Sequence, residues 1–159
     1  MLKLSKQIFL LALVFLAPTA YGQINLGDDG LYYDKDQNPY SGIYKEYYDN
    51  GQVKQEMILS SGKIDGTVTL WFRSGAIKET RAFKGGKRDG LWISYNESGN
   101  KTGEASYRND QKDGHWKIWD ENGILRYDML YRKGQKAGTW IMYDAAGNKT
   151  DEKKYTDEK

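Results

Sequence analysis

The chain has 159 residues, and 24 Lys and Arg stand against 22 Asp and Glu. This balance excludes a polycation built to neutralise phosphates, so we expect no nucleic-acid partner. The absence of Cys and the single His exclude disulfides, thiolate metal sites, cysteine nucleophiles and any site that needs two imidazoles, so we expect no metal and no cofactor.

Residues 1–22 have the pattern of a secretory signal peptide. Two lysines open the segment, Ile8–Ala17 is an apolar run, and Ala20–Gly22 supplies the small residues that a signal peptidase recognises. The apolar run is too short to span a membrane, because a spanning helix needs about 20 apolar residues. We therefore expect cleavage after Gly22, no integral membrane segment in the mature chain, and a periplasmic, envelope-associated or secreted protein.

Residues 23–41 predict an N-terminal lead-in before the repeated part of the chain. Asp28–Tyr33 has the composition of a short strand, and Asp36–Pro39 has that of a turn. We expect this lead-in strand to pair with the first repeat and to cap it.

Glycines recur every 24 residues over the rest of the chain. The first set is Gly42, Gly66, Gly90, Gly114 and Gly138, and the second set is Gly51, Gly75, Gly99, Gly123 and Gly147. We interpret both sets as structural turns. A third set is Gly62, Gly86 and Gly134, with Asp110 at the position where a left-handed backbone is expected. The spacing predicts five repeats, at residues 42–65, 66–89, 90–113, 114–137 and 138–159.

The interior of each repeat predicts a β-hairpin. In the third repeat, Gly90–Tyr95 is an aromatic and branched run, Asn96–Asn100 has turn composition, and Lys101–Tyr107 resumes a strand-like pattern. The Asn-Gly pairs at 50–51 and 122–123 predict tight hairpin turns. The fold class is therefore all-β, an open antiparallel meander of five hairpin repeats. Charged residues in the last strand predict a polar outer edge.

Aromatic residues follow the same spacing and are the candidate binding residues. One column is Tyr44, Trp92, Trp116 and Trp140, with Val68 in the second repeat, and the next column is Tyr47, Trp71, Tyr95, Trp119 and Tyr143. A third column is Leu59, Phe83, Tyr107, Tyr131 and Tyr155. We expect each column to stack as a ladder of like neighbours. The first two columns lie on opposite faces unless a bulge follows the glycine, because their separation of three residues is odd.

Other polar residues predict structure more than chemistry. His115 occupies a position that other repeats fill with Ile, Thr or Leu, so we interpret it as structural. One column of carboxylates is Glu56, Glu104, Asp128 and Glu152, and the cations two residues earlier are Lys54, Lys78 and Arg126. Ion pairs between these columns are a simpler interpretation than a glycosidase pair. The turn residues Asp65, Asp89 and Asp113 are interpreted as turn formers and not as calcium ligands.

The motif Gly-x-Trp-x-x-Tyr/Trp, followed by a glycine turn and by an aromatic late in the second strand, resembles MORN repeats. The bacterial MORN-repeat variant group is the more similar form, and Gly90–Trp92, Gly114–Trp116 and Gly138–Trp140 carry the motif best. The resemblance runs from about Tyr40 to the C-terminus. It implies a repeat sheet that serves as an interaction module or scaffold, it implies no catalytic residues, and some members of the group are labelled antitoxins.

These observations together predict an exported, non-catalytic repeat protein. We expect it to bind or scaffold another protein of the cell envelope. Two alternatives remain open at this point: binding of carbohydrate or peptidoglycan by the aromatic residues, and an antitoxin-like or immunity-like role against a toxin. The aromatic residues themselves serve either to hold a thin sheet together or to form an exposed platform.

Overall fold

The computed structural model of the protein describes residues 24–156, and every regular element in this range is a β-strand. The first strands are β1 (Asn25–Leu26), β2 (Tyr32–Tyr33), β3 (Gly42–Tyr47), β4 (Val53–Ser60), β5 (Lys63–Ile64) and β6 (Gly66–Trp71). They are followed by β7 (Ile77–Lys84), β8 (Lys87–Tyr95), β9 (Lys101–Arg108), β10 (Gln111–Trp119), β11 (Leu125–Arg132), β12 (Gln135–Tyr143) and β13 (Lys149–Tyr155). The predicted signal peptide, residues 1–22, lies outside the described residues.

Strands β3 to β13 form one open antiparallel sheet. The strand order follows the chain from β3 at one edge to β13 at the other, and the short β5 pairs with β4 beside this path. Every repeat is thus a hairpin that pairs with the hairpins before and after it. The predicted all-β meander is confirmed.

The loops within the repeats are three-residue hairpin loops. In the fourth repeat the Asp120 amide donates to the Ile124 carbonyl, and the Gly123 amide donates to the Asp120 carbonyl, both at 3.0 Å. Gly123 has φ +79°, so a type I turn is followed by a left-handed glycine. The same pair of hydrogen bonds closes the loops at Gly51, Gly75, Gly99 and Gly147. The tight hairpin turns predicted at the Asn-Gly pairs are therefore present as three-residue loops, in which only the glycine takes a positive φ.

Tight two-residue turns connect each hairpin to the next. Asn109 and Asp110 have φ +48° and +68°, and they connect the paired residues Arg108 and Gln111. Positive φ at both positions defines a type I′ turn, whose twist matches that of a hairpin. Equivalent turns occur at Ser61–Gly62, Gly85–Gly86 and Lys133–Gly134. The left-handed backbone predicted for Asp110 is confirmed.

The first glycine set lies inside or at the start of strands, so its interpretation as turns needs correction; Gly42 belongs to the edge strand β3, and bulges form at the later members of the set. Gly42, Gly66, Gly90, Gly114 and Gly138 all belong to strands and all have positive φ. Arg88 pairs with Phe83 and Trp92 pairs with Arg81, so between these two pairs β8 advances by four residues and β7 by only two. The extra residues on β8 form a bulge, and the glycine adopts the positive φ that the bulge requires.

The N-terminal lead-in also differs from the prediction. Strands β1 and β2 form a separate two-stranded sheet and do not extend the main sheet beside β3. The lead-in is joined to the first turn between repeats, because the Tyr32 amide donates to the Gly62 carbonyl and the Gly62 amide donates to the Tyr40 carbonyl, both at 2.8 Å. It therefore caps the first repeats from one face of the sheet.

The lead-in covers the one cluster of buried residues in residues 24–156. Met57, Leu59 and Val68 are at most 4 % exposed, and Ile24, Tyr32 and Tyr40 of the lead-in pack against them. Leu59 and Val68 stand at positions where the later repeats have aromatic rings, so smaller side chains leave room for the lead-in. Beyond this cluster the protein is a single-layer sheet with mostly half-buried side chains.

The outer edge at the C-terminal end is polar, as predicted. The residues of β13 are exposed except for Tyr155, which is half-buried. Charged side chains along this edge strand oppose its pairing with another sheet.

Candidate functional site: an aromatic ladder with cations on one face

The two predicted aromatic columns lie on opposite faces of the sheet. Between β10 and β9, Trp116 is opposite Ala105 and Lys117 is opposite Glu104, so the two neighbouring residues face opposite sides. Trp119 lies two residues after Lys117 and shares its side. We call the side of Trp92, Trp116 and Trp140 the ladder face, and the other side the opposite face. The nine candidate binding residues therefore form no single platform.

The ladder face carries a continuous stack of seven rings. They are Phe83, Trp92, Tyr107, Trp116, Tyr131, Trp140 and Tyr155, and adjacent ring centroids lie 4.8–5.3 Å apart. Tilted and edge contacts at this distance are favourable for aromatic pairs. The expected ladders of like neighbours are corrected here. The first and third columns interleave, because the two strands of each hairpin alternate across the sheet.

Main-chain carbonyls hold the tryptophans of this ladder in place. The indole nitrogens of Trp92, Trp116 and Trp140 donate to the carbonyls of Ala82, Ser106 and Leu130 at 3.1, 3.0 and 2.9 Å. Each carbonyl lies beside a glycine bulge, where the regular pairing of the two strands is interrupted. The indole thus satisfies an acceptor that the bulge leaves without a ladder partner.

The second repeat satisfies the same acceptor in another way. Val68 has no donor on its side chain, and there the Asp65 amide donates to the Ile58 carbonyl at 2.9 Å. The strand that is continuous in later repeats is consequently broken into β5 and β6 at Asp65.

Cations lie over the rings at every second strand of the ladder. Arg88 lies 5.9 Å from the Trp92 centroid and 4.5 Å from that of Tyr107. Lys112 lies 4.1 Å from Trp116 and 4.7 Å from Tyr131. Lys136 lies 4.8 Å from Trp140 and 5.3 Å from Tyr155. We call Arg88, Lys112 and Lys136 the cation row.

The sequence analysis missed the cation row, although a signal was present. Arg88, Lys112 and Lys136 stand two residues before the bulge glycines and follow the same 24-residue spacing. Arg81 and Lys153 add two more cations to this face, over Trp92 at 5.1 Å and Tyr155 at 5.4 Å. The ladder face is therefore rich in cations whose side chains are held by rings.

Carboxylates and cations pair with one another on the opposite face. Glu56 pairs with Lys45 and Glu104 with Lys101, both at 2.8 Å. Ion pairing of the carboxylate column was predicted, but the partners differ. Lys54 pairs with Glu46, which lies on the same face as Tyr44, Arg126 pairs with Asp120, and Lys78 lies over the Phe72 ring. On the opposite face, lysines thus neutralise Glu56 and Glu104.

His115 belongs to this paired surface. Its Nδ1 atom lies 2.7 Å from the Asp128 carboxylate, on an exposed part of the sheet. The pair lies on a flat strand surface, and in residues 24–156 no group of three or more His, Cys, Asp or Glu side chains is arranged to hold a metal ion.

The second aromatic column of the opposite face does not stack into a continuous ladder. Trp119 is opposite Leu125 and Trp71 is opposite Ile77, so aliphatic side chains separate the rings. In the third and fifth repeats the intervening residue is a lysine, and Lys101 lies 5.3 Å from the Trp119 centroid. Exposed Ile43 and Leu91 also lie on this face.

Two shallow depressions lie at the end of the sheet that carries the two-residue turns. One is lined by Arg108, Asn109, Gln111, Asp113 and Lys133, and another by Gln135, Lys136, Lys154, Tyr155 and Thr156. Both depressions carry cations next to the ladder face. No helix that is long and apolar enough to cross a membrane is found in residues 24–156.

Hydrogen bonding and burial shift a few pKa values around this surface. The Arg88 main-chain amide donates to the Asp110 carboxylate at 2.9 Å and, with the Arg88 side chain, lowers the pKa of Asp110. Burial raises the pKa of Tyr131 in the ladder and of Tyr44 beneath the lead-in. Tyr131 therefore stays neutral at physiological pH, so Lys112 meets a neutral phenol at this ring.

Comparison with known proteins supports the repeat assignment. The sequence profile of the MORN repeat variant family matches residues 40–58, 88–109 and 112–133. No curated protein matches the chain. MORN repeats are generally associated with binding to proteins or membranes, and the family is typically non-catalytic. The matched residues include Trp92, Tyr107, Trp116 and Tyr131 of the ladder together with Arg88 and Lys112, and these three segments of the chain are repeats of the MORN variant type.

Proposed function

We propose that the chain is an exported, non-catalytic repeat protein that binds or scaffolds another protein of the cell envelope through its ladder face. The observation that carries this proposal is the accessibility of the ladder. The lead-in covers the first two repeats, whereas the rings from Trp92 to Tyr155 are only half-buried. Large half-exposed aromatic side chains with polar groups nearby are typical of protein-binding surfaces.

The shape of the sheet favours a macromolecular partner. Repeats that each contact only their neighbours form an extended surface, whereas small ligands are usually bound in concave pockets. The three repeats with Trp92, Trp116 and Trp140 present the same pattern of ring and cation side by side. A partner that contacts one repeat can therefore contact all three.

The ladder favours a protein partner over a glycan. The cations that lie 4.1–5.9 Å from the ring centroids favour an anionic partner group, which acidic protein side chains supply and a neutral sugar does not. An antitoxin-like role would also use a protein partner and thus shares this surface chemistry. Export rests on the signal-peptide pattern of residues 1–22.

Fractionation and capture test this proposal. The full chain is produced with a C-terminal tag, cells are fractionated, and the N-terminus of the recovered protein is sequenced; we expect an envelope or secreted protein that begins at Gln23. The tagged protein then captures partners from an envelope extract. We expect one protein in near-equal amount, lost with Ile118→Arg on the ladder face and retained with Leu91→Arg on the opposite face.

Two results would contradict the proposal. Recovery of the protein in the cytoplasm with Met1 retained would overturn export. Capture of cell-wall fragments without protein would overturn protein binding in favour of the glycan alternative. Ile118 and Leu91 make a matched pair for the capture experiment, because they are 44 % and 48 % exposed.

A further inference from the structure

The cation row has a regular spacing that selects among extended ligands. Arg88, Lys112 and Lys136 occupy equivalent positions on β8, β10 and β12, with one strand between each pair. Since neighbouring strands lie about 4.8 Å apart, the row has a period of about 9.6 Å. A ligand that runs across the strands meets one cation per period.

The period of the row matches one conformation of a polypeptide. A polyproline II helix has three residues per turn and rises about 3.1 Å per residue, so every third side chain points the same way at intervals of about 9.3 Å. Side chains on one face of a β-strand repeat at about 6.6 Å. Two turns of an α-helix span about 10.8 Å, which exceeds the period of the row by more than 1 Å at each step.

The positive charges of the cation row favour a ligand that has acidic residues at the same interval as the row. Lys112 and Lys136 form cation–π contacts, and the ion pairs seen in residues 24–156 do not include them. Arg88 bonds to Asp110 and keeps part of its guanidinium over the ladder. Ring contacts hold these side chains in place, so less conformational entropy is lost when an acid binds them.

Aromatic rings between the cations suit the remaining residues of such a ligand. Each cation lies over two rings of the same repeat, and the contact between Tyr107 and Trp116, 5.2 Å between centroids, lies between two cations. Proline-rich segments in the polyproline II conformation dock on aromatic surfaces. Apolar residues at the other two positions of each turn would therefore contact rings.

We propose that the ladder face binds an acidic, proline-rich segment of a partner protein in the polyproline II conformation, with an Asp or Glu at every third residue placed on Arg88, Lys112 and Lys136. This inference deepens the proposed protein-binding function and rests on it.

Peptide binding to the purified full chain tests the inference. A labelled peptide of six Pro-Pro-Glu triplets is titrated by fluorescence anisotropy at moderate salt. A second peptide has the same length and the same number of Glu and Pro residues, but its Glu residues alternate with Pro in one block. Polyphosphate of matched charge serves as a competitor that is not a peptide. We expect the triplet peptide to bind about tenfold more tightly than the block peptide.

Variants connect this binding to the cation row. The double variant Lys112→Gln with Lys136→Gln is expected to bind the triplet peptide at least about tenfold more weakly. The control, Lys101→Gln with Lys117→Gln, removes the same charge from the opposite face and is expected to bind as the wild type does. Circular dichroism and thermal unfolding establish that both variants are folded.

The following outcomes of the peptide experiment would overturn the inference. Equal binding of the two peptides, or complete competition by polyphosphate at equal charge, would leave only unspecific attraction of anions. Absence of peptide binding would exclude the acidic proline-rich ligand. If the envelope capture described above still succeeds with the Lys112→Gln, Lys136→Gln variant, protein binding stands and only this ligand is excluded.

Discussion

The indole nitrogen of Trp116 donates a hydrogen bond of 3.0 Å to the main-chain carbonyl of Ser106 on the preceding strand. This bond explains why glycine and tryptophan recur together in the repeat. Gly114 forms the bulge that interrupts strand pairing beside Ser106, and Trp116 supplies the donor that the bulge has removed. The Gly-x-Trp motif is therefore one structural unit.

Replacement of Trp116 by Phe tests this unit. The ring stays in the ladder, but the Ser106 carbonyl loses its donor, so we expect a decrease of about 1–3 kcal/mol in the free energy of unfolding. Urea unfolding of the full chain measures it. The control is Trp119→Phe on the opposite face, where no hydrogen bond of the indole is seen within residues 24–156, and equal losses in both variants would refute the role of the bond.

The bulge glycine has a steric requirement that the loop glycine lacks. A Cβ atom at Gly90 would lie 2.9 Å from the Ala82 Cβ, whereas a Cβ at Gly99 would meet no atom within 4 Å. Both residues have positive φ, so Gly99→Ala should cost roughly 1–2 kcal/mol and Gly90→Ala more.

The double variant Ala82→Gly with Gly90→Ala separates the steric cost from the backbone cost. Removing the Ala82 methyl relieves the contact, so the variant should recover part of the stability lost in Gly90→Ala, and a double-mutant cycle from urea unfolding quantifies the coupling. Additive losses would show that the contact between these two residues is unimportant.

Acid should weaken the turn at Asp110. The pKa of Asp110 is lower in the folded chain than its ordinary value, so the folded state binds fewer protons than the unfolded state. The carboxylate therefore stabilises the fold above its unfolded pKa, and this contribution is lost as the pH falls through the folded pKa.

Asp110→Asn isolates that charge, because Asn tolerates the left-handed backbone. The variant should have a lower Tm than the wild type at pH 7, and the difference should shrink as the pH falls below the ordinary pKa of an aspartate and through the lowered folded pKa. Thermal unfolding over this pH range measures it. A difference in Tm that is independent of pH would assign the effect to the turn conformation and not to the charge.

Val68 tests the role of the lead-in. Tryptophan occupies this position in the later repeats, but Val68 is 4 % exposed and packs with Met57 and Leu59 beneath the lead-in. Val68→Trp should therefore lower the free energy of unfolding by about 1–3 kcal/mol through overpacking. An increase in stability, which the repeat pattern alone suggests, would show that the lead-in does not restrict this site.

Spacing in the sequence was sufficient to predict the fold but not the faces of the sheet. Fixed 24-residue steps specify hairpins in a meander, because each repeat must pair with the next in the same way. The spacing of the two glycine sets is the same, so spacing alone does not indicate that their structural roles differ. Gly99 closes a loop and Gly90 forms a bulge, and only the pairing of β8 with β7 distinguishes them.

The candidate site was predicted only in part for a similar reason. Trp92, Trp116 and Trp140 were identified by their spacing, but their neighbours in the ladder come from the other strand of each hairpin. The cation row follows the same spacing, yet a lysine on a strand is usually solvated. The cations lie over the rings only because the two aromatic columns interleave in the sheet. This interleaving cannot be predicted from the spacing of one column alone.

Site-specific photo-crosslinking in cells that produce the full chain tests the central claim most directly. A photoreactive amino acid replaces Ile118 on the ladder face or Leu91 on the opposite face, and both positions are exposed to a similar extent. The account predicts an adduct with an envelope protein from position 118 and none from position 91. Adducts of equal yield from both positions, or no protein adduct from position 118, would contradict it.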